Sequence, residues 1–274
     1  MKIVIGFFVS LFLLNASIVA ENVIYVVIEG VSRKSLYSLL KKNKLPHLNK
    51  IAKQGNYRNI GIDLLNPTQE KSRHLVYTGQ SVLLGDGAQN IYSEISSLLP
   101  DLDIRFFLTE PVNAAYNKQL SSFFKNVISQ TESMPLSYLT SSQLGGHVST
   151  YIETSTQPFF ITLNFSNVDY IGWRYREGAQ LYSQALINCD RSIGNIVKAL
   201  SKKGIQDQTT FLIITSYGYK RGSKDISFQS WGLSNRKILR KGSLRDVFPT
   251  LFDVLDISDS GLAERLAGRS LFQR

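Results

Sequence analysis

Residues 23–28 (VIYVVI) form an unbroken run of β-branched and aromatic side chains that ends at Glu29-Gly30. A run with no polar alternation predicts a central parallel strand buried on both faces. Further strands are predicted at 57–64, 104–109, 159–165 and 210–215. Helical patterns cover 32–40 and 48–53, divided by Pro46 and stopped at Gly55. Between Gly178 and Gly204 the apolar positions Leu181, Ala185, Leu186, Cys189, Ile193, Ile196, Val197 and Leu200 follow i, i+3, i+4 spacing, which predicts one long amphipathic helix. Residues 244–255 read as another, followed by a short tail over 261–272. Alternating strands and helices predict an α/β fold: a doubly wound, mostly parallel sheet with helices on both faces. With no internal repeat, low-complexity stretch or Pro/Gly/Ser linker, residues 21–274 are expected to form a single domain.

The N-terminus is set apart from this pattern. Met1-Lys2 gives a short positive start, residues 3–14 are almost wholly apolar, and 15–20 (NASIVA) end in small residues of the kind a signal peptidase accepts. Residues 1–20 are therefore expected to be an export signal cleaved after Ala20, with an uncleaved anchor as the alternative, although the run is shorter than the ~20 residues of an ordinary span. The mature chain is then periplasmic or secreted, with no stable membrane span. Of the 274 residues, 43% are hydrophobic and 19% charged, which excludes a disordered or collagen-like chain. A formal charge of +10 favours an anionic partner, and export argues against nucleic acid. The single cysteine, Cys189, excludes an intramolecular disulfide and a Cys-rich zinc site, and its neighbours make it a small core residue.

In an open parallel sheet, ligands bind beyond the carboxyl ends of the strands. That rim is predicted to carry Glu29, the 167–173 segment, Ser216 to Tyr219, and a loop from Asn66 to Thr78. At these positions the sequence resembles the alkaline phosphatase superfamily, in its nucleotide pyrophosphatase/phosphodiesterase and sulfatase-like branch. The motifs that carry the resemblance are VIYVVIEGVSRKSL with LPHLNKIAKQG, Thr78-Gly79 with Asn90, FFITLNFSNVDYIGWRY, TTFLIITSYGY, and the closing Val247 to Thr250 and Gly268 to Leu271. It implies an alkaline-phosphatase-like core and a reaction in which two zinc ions, held by three Asp and three His, activate a Thr or Ser nucleophile.

Carried over residue by residue, that apparatus is degenerate. The first Asp becomes Glu29, Asp169 is kept, and the His after it becomes Trp173. The Asp-His pair falls on Tyr217 and Gly218, and the chain has no His after His147. A zinc pair is not expected. The nucleophile position falls at Gln69 or Glu70, with hydroxyls nearby at Thr68 and Ser72, so Thr68 and Glu70 are the only catalytic candidates. Two readings of the carboxylates remain. Either Glu29, Glu70 and Asp169 gather to hold one Mg²⁺, Mn²⁺ or Ca²⁺ for phosphoester hydrolysis, or Glu70 is solvated and Glu29 pairs with Lys71 or Arg73. His47, His74 and His147 are read as structural or surface residues. The late basic residues Lys220, Arg221, Lys224, Arg236, Lys237, Arg240, Lys241 and Arg245, with Phe228, Trp231, Trp173, Tyr175, Tyr217 and Tyr219, make either an aromatic and cationic cleft or a solvated basic face beside ordinary core aromatics, and the candidate ligand-binding residues are Asn90, Trp173, Tyr217, Lys220, Arg221 and Lys224. The expectation is a non-catalytic binding protein for an anionic, phosphoester-like small molecule or an envelope component, with a protein partner as a further class.

Overall fold

The computed structural model describes residues 21–80, 91–109, 131–134 and 140–273. The expected export signal and Asn90 lie outside them. A seven-stranded sheet forms the centre. β1 (Asn22–Ile28) lies between β5 (Phe159–Phe165) and β6 (Thr209–Ile214), parallel to both. β3 (Asp103–Thr109) and β4 (Thr131–Met134) extend the parallel array beyond β5. On the other side β9 (Ser230–Ser234) is antiparallel to β6 and to the edge strand β2 (Asn56–Ile60), giving the order β2-β9-β6-β1-β5-β3-β4. The mostly parallel, doubly wound sheet is as expected. Within this sheet the pattern does not reveal β4 and β9, which are four and five residues long.

The alternation of β1 sorts its side chains onto two cores. Ile24, Val26 and Ile28 face α1 (Arg33–Lys41), α2 (Pro46–Gln54), α5 (Thr140–Thr154) and α7 (Gln180–Lys203). Val23, Tyr25 and Val27 face α3 (Gln69–Thr78), α4 (Ile91–Leu98) and α8 (Val247–Val254). The second core is aromatic: Tyr92 meets Phe106 edge-on at 4.6 Å and Phe248 at 5.7 Å between ring centroids. Such pairs add roughly 0.5–1.5 kcal/mol each beyond the area they bury. Cys189 is fully buried in the first core, where burial pushes its thiol up to about 12. Among the described residues no helix is long and apolar enough to cross a membrane.

Two expectations are corrected. The strand over 57–64 stops at Ile60, because Gly61 turns to bridge Ser243 and Asp63 takes a positive φ of 51°. The loop over 66–78 is instead the helix α3, begun by Thr68 as N-cap and ended by Gly79 at φ 71°. Its polar opening, QEKSRH, hides the helical period that only Leu75, Val76 and Tyr77 carry.

α2 shows how tertiary packing completes a local element. Its N-cap, Leu45, has no side chain to cap the first turn. The carboxylate of Asp190, projecting from α7, accepts instead from the backbone N–H of Leu48 at 2.8 Å and of His47 at 3.4 Å. Asp190→Ala leaves these helix-end donors without their partner and is expected to lower stability by roughly 1–3 kcal/mol, read by urea denaturation.

Candidate functional site

The loop after β1 is fixed by hydrogen bonds from four elements. Glu29 N–H donates to Phe165 O at 3.0 Å, and the Tyr182 hydroxyl donates to Gly30 O at 2.7 Å while accepting from Ser32 N–H at 3.0 Å. Val31 N–H donates to Thr215 Oγ1 and Val31 O accepts from Trp231 Nε1 at 3.0 Å. Gly30 has φ 74°, and a Cβ there would lie 2.6 Å from Cα of Asp169. Only glycine lets this turn close to that distance on the helix start that carries Asp169.

Glu29, Asp169 and Tyr217 thus converge at the carboxyl ends of β1, β5 and β6, and all are buried. Arg73 of α3 reaches them and is itself only 6% exposed. Its Nη2 lies 2.8 Å from Glu29 Oε2, 2.7 Å from Asp169 Oδ2 and 2.6 Å from the Tyr217 hydroxyl, while Nε donates to Glu29 Oε2 at 3.0 Å. The guanidinium carbon is 5.3 Å from the centre of the Tyr217 ring. An outer set holds the carboxylates. Asn164 Nδ2 donates to Glu29 Oε1 at 3.2 Å, and the Tyr219 hydroxyl donates to Asp169 Oδ1 at 2.7 Å.

One guanidinium therefore faces two carboxylates away from water. Burial raises the pKa of Glu29, with the Arg73 charge pulling it down and the Asp169 charge pushing it up. Burial also raises Tyr217 well above the ordinary phenol value, with the Asp169 charge adding to it, so its hydroxyl stays neutral.

Of the residues predicted from sequence, Glu29 and Asp169 are brought together, and of the two pairings read for Glu29 it is Arg73 that forms. Glu70 does not join them. It is exposed in the first turn of α3, where a carboxylate favours the positive end of the helix dipole. The Glu29, Glu70 and Asp169 grouping is thus corrected, and among the described residues no cluster of three or more His, Cys, Asp or Glu side chains is placed to hold a metal ion. Thr68 is engaged as the α3 N-cap, accepting from Lys71 N–H at 3.1 Å, and Ser72 is fully buried. The aromatic and cationic cleft is divided. Tyr217 and Tyr219 are buried beside Arg73, whereas Trp173, Tyr175, Lys220, Arg221 and Lys224 are exposed. The sequence reading misses Arg73 as the centre of the site. Its one signal is a cation two residues before the apolar stretch Leu75 to Tyr77, and that looks like a solvated position.

A family model for type I phosphodiesterase / nucleotide pyrophosphatase matches residues 100–256. The chain belongs to this family. Solved structures agree on the fold. An alkaline phosphatase superfamily protein from Vibrio parahaemolyticus is 15% identical, with a TM-score of 0.66, covering 93% of this chain and 70% of that one. The lipoteichoic acid synthase LtaP from Listeria monocytogenes is 13% identical, with a TM-score of 0.60 over 93% of this chain and 74% of that one. A 2-O GAG sulfatase, BT1596, is 12% identical, with a TM-score of 0.66 over 92% and 73%. No curated protein matches the sequence significantly.

In this phosphodiesterase-family chain Arg73 is the cation that balances the rim. Arg73→Ala leaves Glu29 and Asp169 adjacent and buried, and is expected to cost about 3–5 kcal/mol at neutral pH. Glu29 then loses the charge that lowers it and moves further up. A carboxyl whose folded pKa is raised contributes stability at low pH that is lost as pH rises through that value, so the variant should melt higher in mild acid than at neutral pH. Added Mg²⁺ or Mn²⁺ should raise the Tm of Arg73→Ala and leave the wild type unchanged.

Proposed function

We propose that this chain is an exported, non-catalytic member of the type I phosphodiesterase family that binds an anionic partner, a phosphoester-like molecule or an envelope component, without turning it over. The observation that carries this reading is the Arg73 guanidinium, which meets Glu29, Asp169 and Tyr217 together. By the motif resemblance these are three of the positions from which the family holds its metals.

A two-zinc centre does not fit these residues. Where the resemblance places a histidine ligand the chain has Gly218, and a Cβ there would lie 2.8 Å from Cα of Ser32, so no side chain of any kind can extend from that position without moving the loop. Tyr217 is held neutral, and its oxygen already accepts from Arg73. A guanidinium supplies positive charge but remains protonated and has no open coordination position, so it does not generate a nucleophile from water or a hydroxyl as a bound metal does. The exposed Lys220, Arg221, Lys224 and Trp173 are the groups left to meet an anion. The signal-like sequence at 1–20 supports export, and export disfavours nucleic acid as the partner despite the overall positive charge.

Elemental analysis combined with hydrolysis of bis(p-nitrophenyl) phosphate tests the reading. The expected result is no stoichiometric zinc and no turnover above background with Zn²⁺, Mg²⁺, Mn²⁺ or Ca²⁺. Two zincs per chain with turnover would overturn it. One tightly held Mg²⁺, Mn²⁺ or Ca²⁺, lost in both Glu29→Ala and Asp169→Ala, would favour a metal-dependent hydrolase instead. N-terminal sequencing of exported material should begin at Glu21; an intact Met1 in the membrane fraction would make the protein anchored.

A further inference from the structure

Two exposed segments beside the rim share one composition. α6 (Asn167–Tyr175) ends in Trp173, Arg174 and Tyr175, and Arg176 follows as its cap at φ 75°; all four are exposed. The second segment is the turn between β7 (Gly218–Tyr219) and β8 (Ile226–Ser227), which carries Lys220, Arg221 and Lys224, also exposed. Buried Glu177 joins them: its carboxylate accepts from Gly222 N–H at 2.9 Å, and its own N–H donates to Ser223 O at 3.2 Å. The same carboxylate accepts from the hydroxyls of Ser32 and Ser35, which ties both segments to the start of α1. Lys224 Nζ lies 6.0 Å from the centre of the Trp173 ring, and the Arg174 guanidinium carbon 5.7 Å from that of Tyr175. Five cations thus share this face with two large rings, Trp173 at 55% and Tyr175 at 38% exposure. The one acid in the turn, Asp225, is exposed and 4.0 Å from Lys220, a separation at which a solvated pair is weak.

We propose that this face docks on a membrane surface rich in anionic phospholipid headgroups. An array of solvated lysines and arginines has no converging buried donors to enclose a single free anion, but it matches an array of headgroup charges. Exposed tryptophan and tyrosine rings bear an apolar body and a polar edge and settle at the level of the headgroups, where a soluble polyanion offers them no apolar layer. The inference rests on the reading that the chain binds an anionic envelope component, and it names that component and the surface that meets it.

The chain has two tryptophans, and the other, Trp231, is fully buried with its Nε1 bonded to Val31 O, so a change in intrinsic emission on docking reports Trp173. The exported chain is titrated with vesicles of phosphatidylcholine alone and with added phosphatidylglycerol, at low and at physiological salt, by co-sedimentation and fluorescence. Wild type should bind the anionic vesicles with a blue shift, bind neutral vesicles far less, and weaken as salt shortens the reach of exposed charge to about 8 Å. Lys220→Ala/Arg221→Ala/Lys224→Ala should lose about tenfold or more in affinity, since each cation near an anionic surface contributes several-fold. Trp173→Ala/Tyr175→Ala, at unchanged charge, should also lose binding, with both variants melting like wild type.

No sedimentation of wild type, equal binding to neutral vesicles, or a triple variant that binds like wild type would overturn the proposal. Binding of dextran sulfate that matches vesicle binding and survives the ring substitutions would assign the face to a soluble polyanion instead. A negative vesicle result beside absent turnover would remove the membrane as the partner of this surface and leave the loss of turnover at Arg73 standing, because the metal and hydrolysis measurements involve none of these surface residues.

Discussion

The arginine at the carboxyl ends of β1, β5 and β6 is the interaction on which this rim depends. Glu29 and Asp169 are brought within reach of one cation by two adjacent strands, where the turn after β1 touches the first turn of α6 at Gly30. Two carboxylates at that separation in a dry interior repel each other and lose their hydration, and a cation that enters between them offsets both penalties. Arg73 serves because its planar fork presents several donors at once and keeps its charge when buried. The position of α3 is set by the same contact. The helix must lie over the rim for its fifth residue to reach both acids, and Leu75, Val76 and Tyr77 then seal the second core beneath it.

A guanidinium and a metal ion solve the same electrostatic problem with different chemical consequences. Either neutralises a carboxylate pair, but a metal keeps coordination positions for substrate and water, whereas Nε and Nη2 of the arginine are spent on the protein. Fold and charge balance can therefore outlast the family's reaction. The type I phosphodiesterase fold is retained here over most of the chain, and the proposed loss of turnover is confined to a few side chains: Arg73 at the centre, Tyr217 held neutral, and Gly218 with Ser32 packed against it.

The rim and the exposed basic face are structurally continuous. Tyr219 bonds to Asp169 on the inside of the same two-stranded turn whose tip bears Lys220, Arg221 and Lys224. Glu177 fastens that tip to the end of α6, whose first turn supplies Asp169. Burial acts to raise the Glu177 carboxyl, but the hydrogen bonds from Ser35, Gly222 and Ser32 outweigh it and hold it below the ordinary value. A carboxylate so held contributes stability above the ordinary range that is lost as pH falls through its folded value. The join between site and surface is thus firm at neutral pH.

Much of the architecture could be read from the order of residues alone. β1 is a continuous apolar run from Val23 to Ile28 because a strand covered on both faces admits little polar alternation, and α7 repeats its apolar positions because one face packs into the core while the other meets water. The missing histidines, the substitution of Glu29 and Tyr217, and the resemblance that led to the family were equally legible, since each is a matter of residue identity at a place in a motif. What the sequence left open was how charges pair. Lys71 and Arg73 stand two positions apart in one polar stretch, and nothing local says which is buried. That was decided by the rotation of α3 about its axis, fixed by the packing of Leu75 to Tyr77, which turns Arg73 inward and leaves Glu70 in water. The same holds for the aromatic residues. Tyr217 and Trp173 look alike as rim residues in sequence, yet one lies under the closed loops and the other stands in solvent, because burial is a property of what the rest of the chain places above a residue and not of the residue itself.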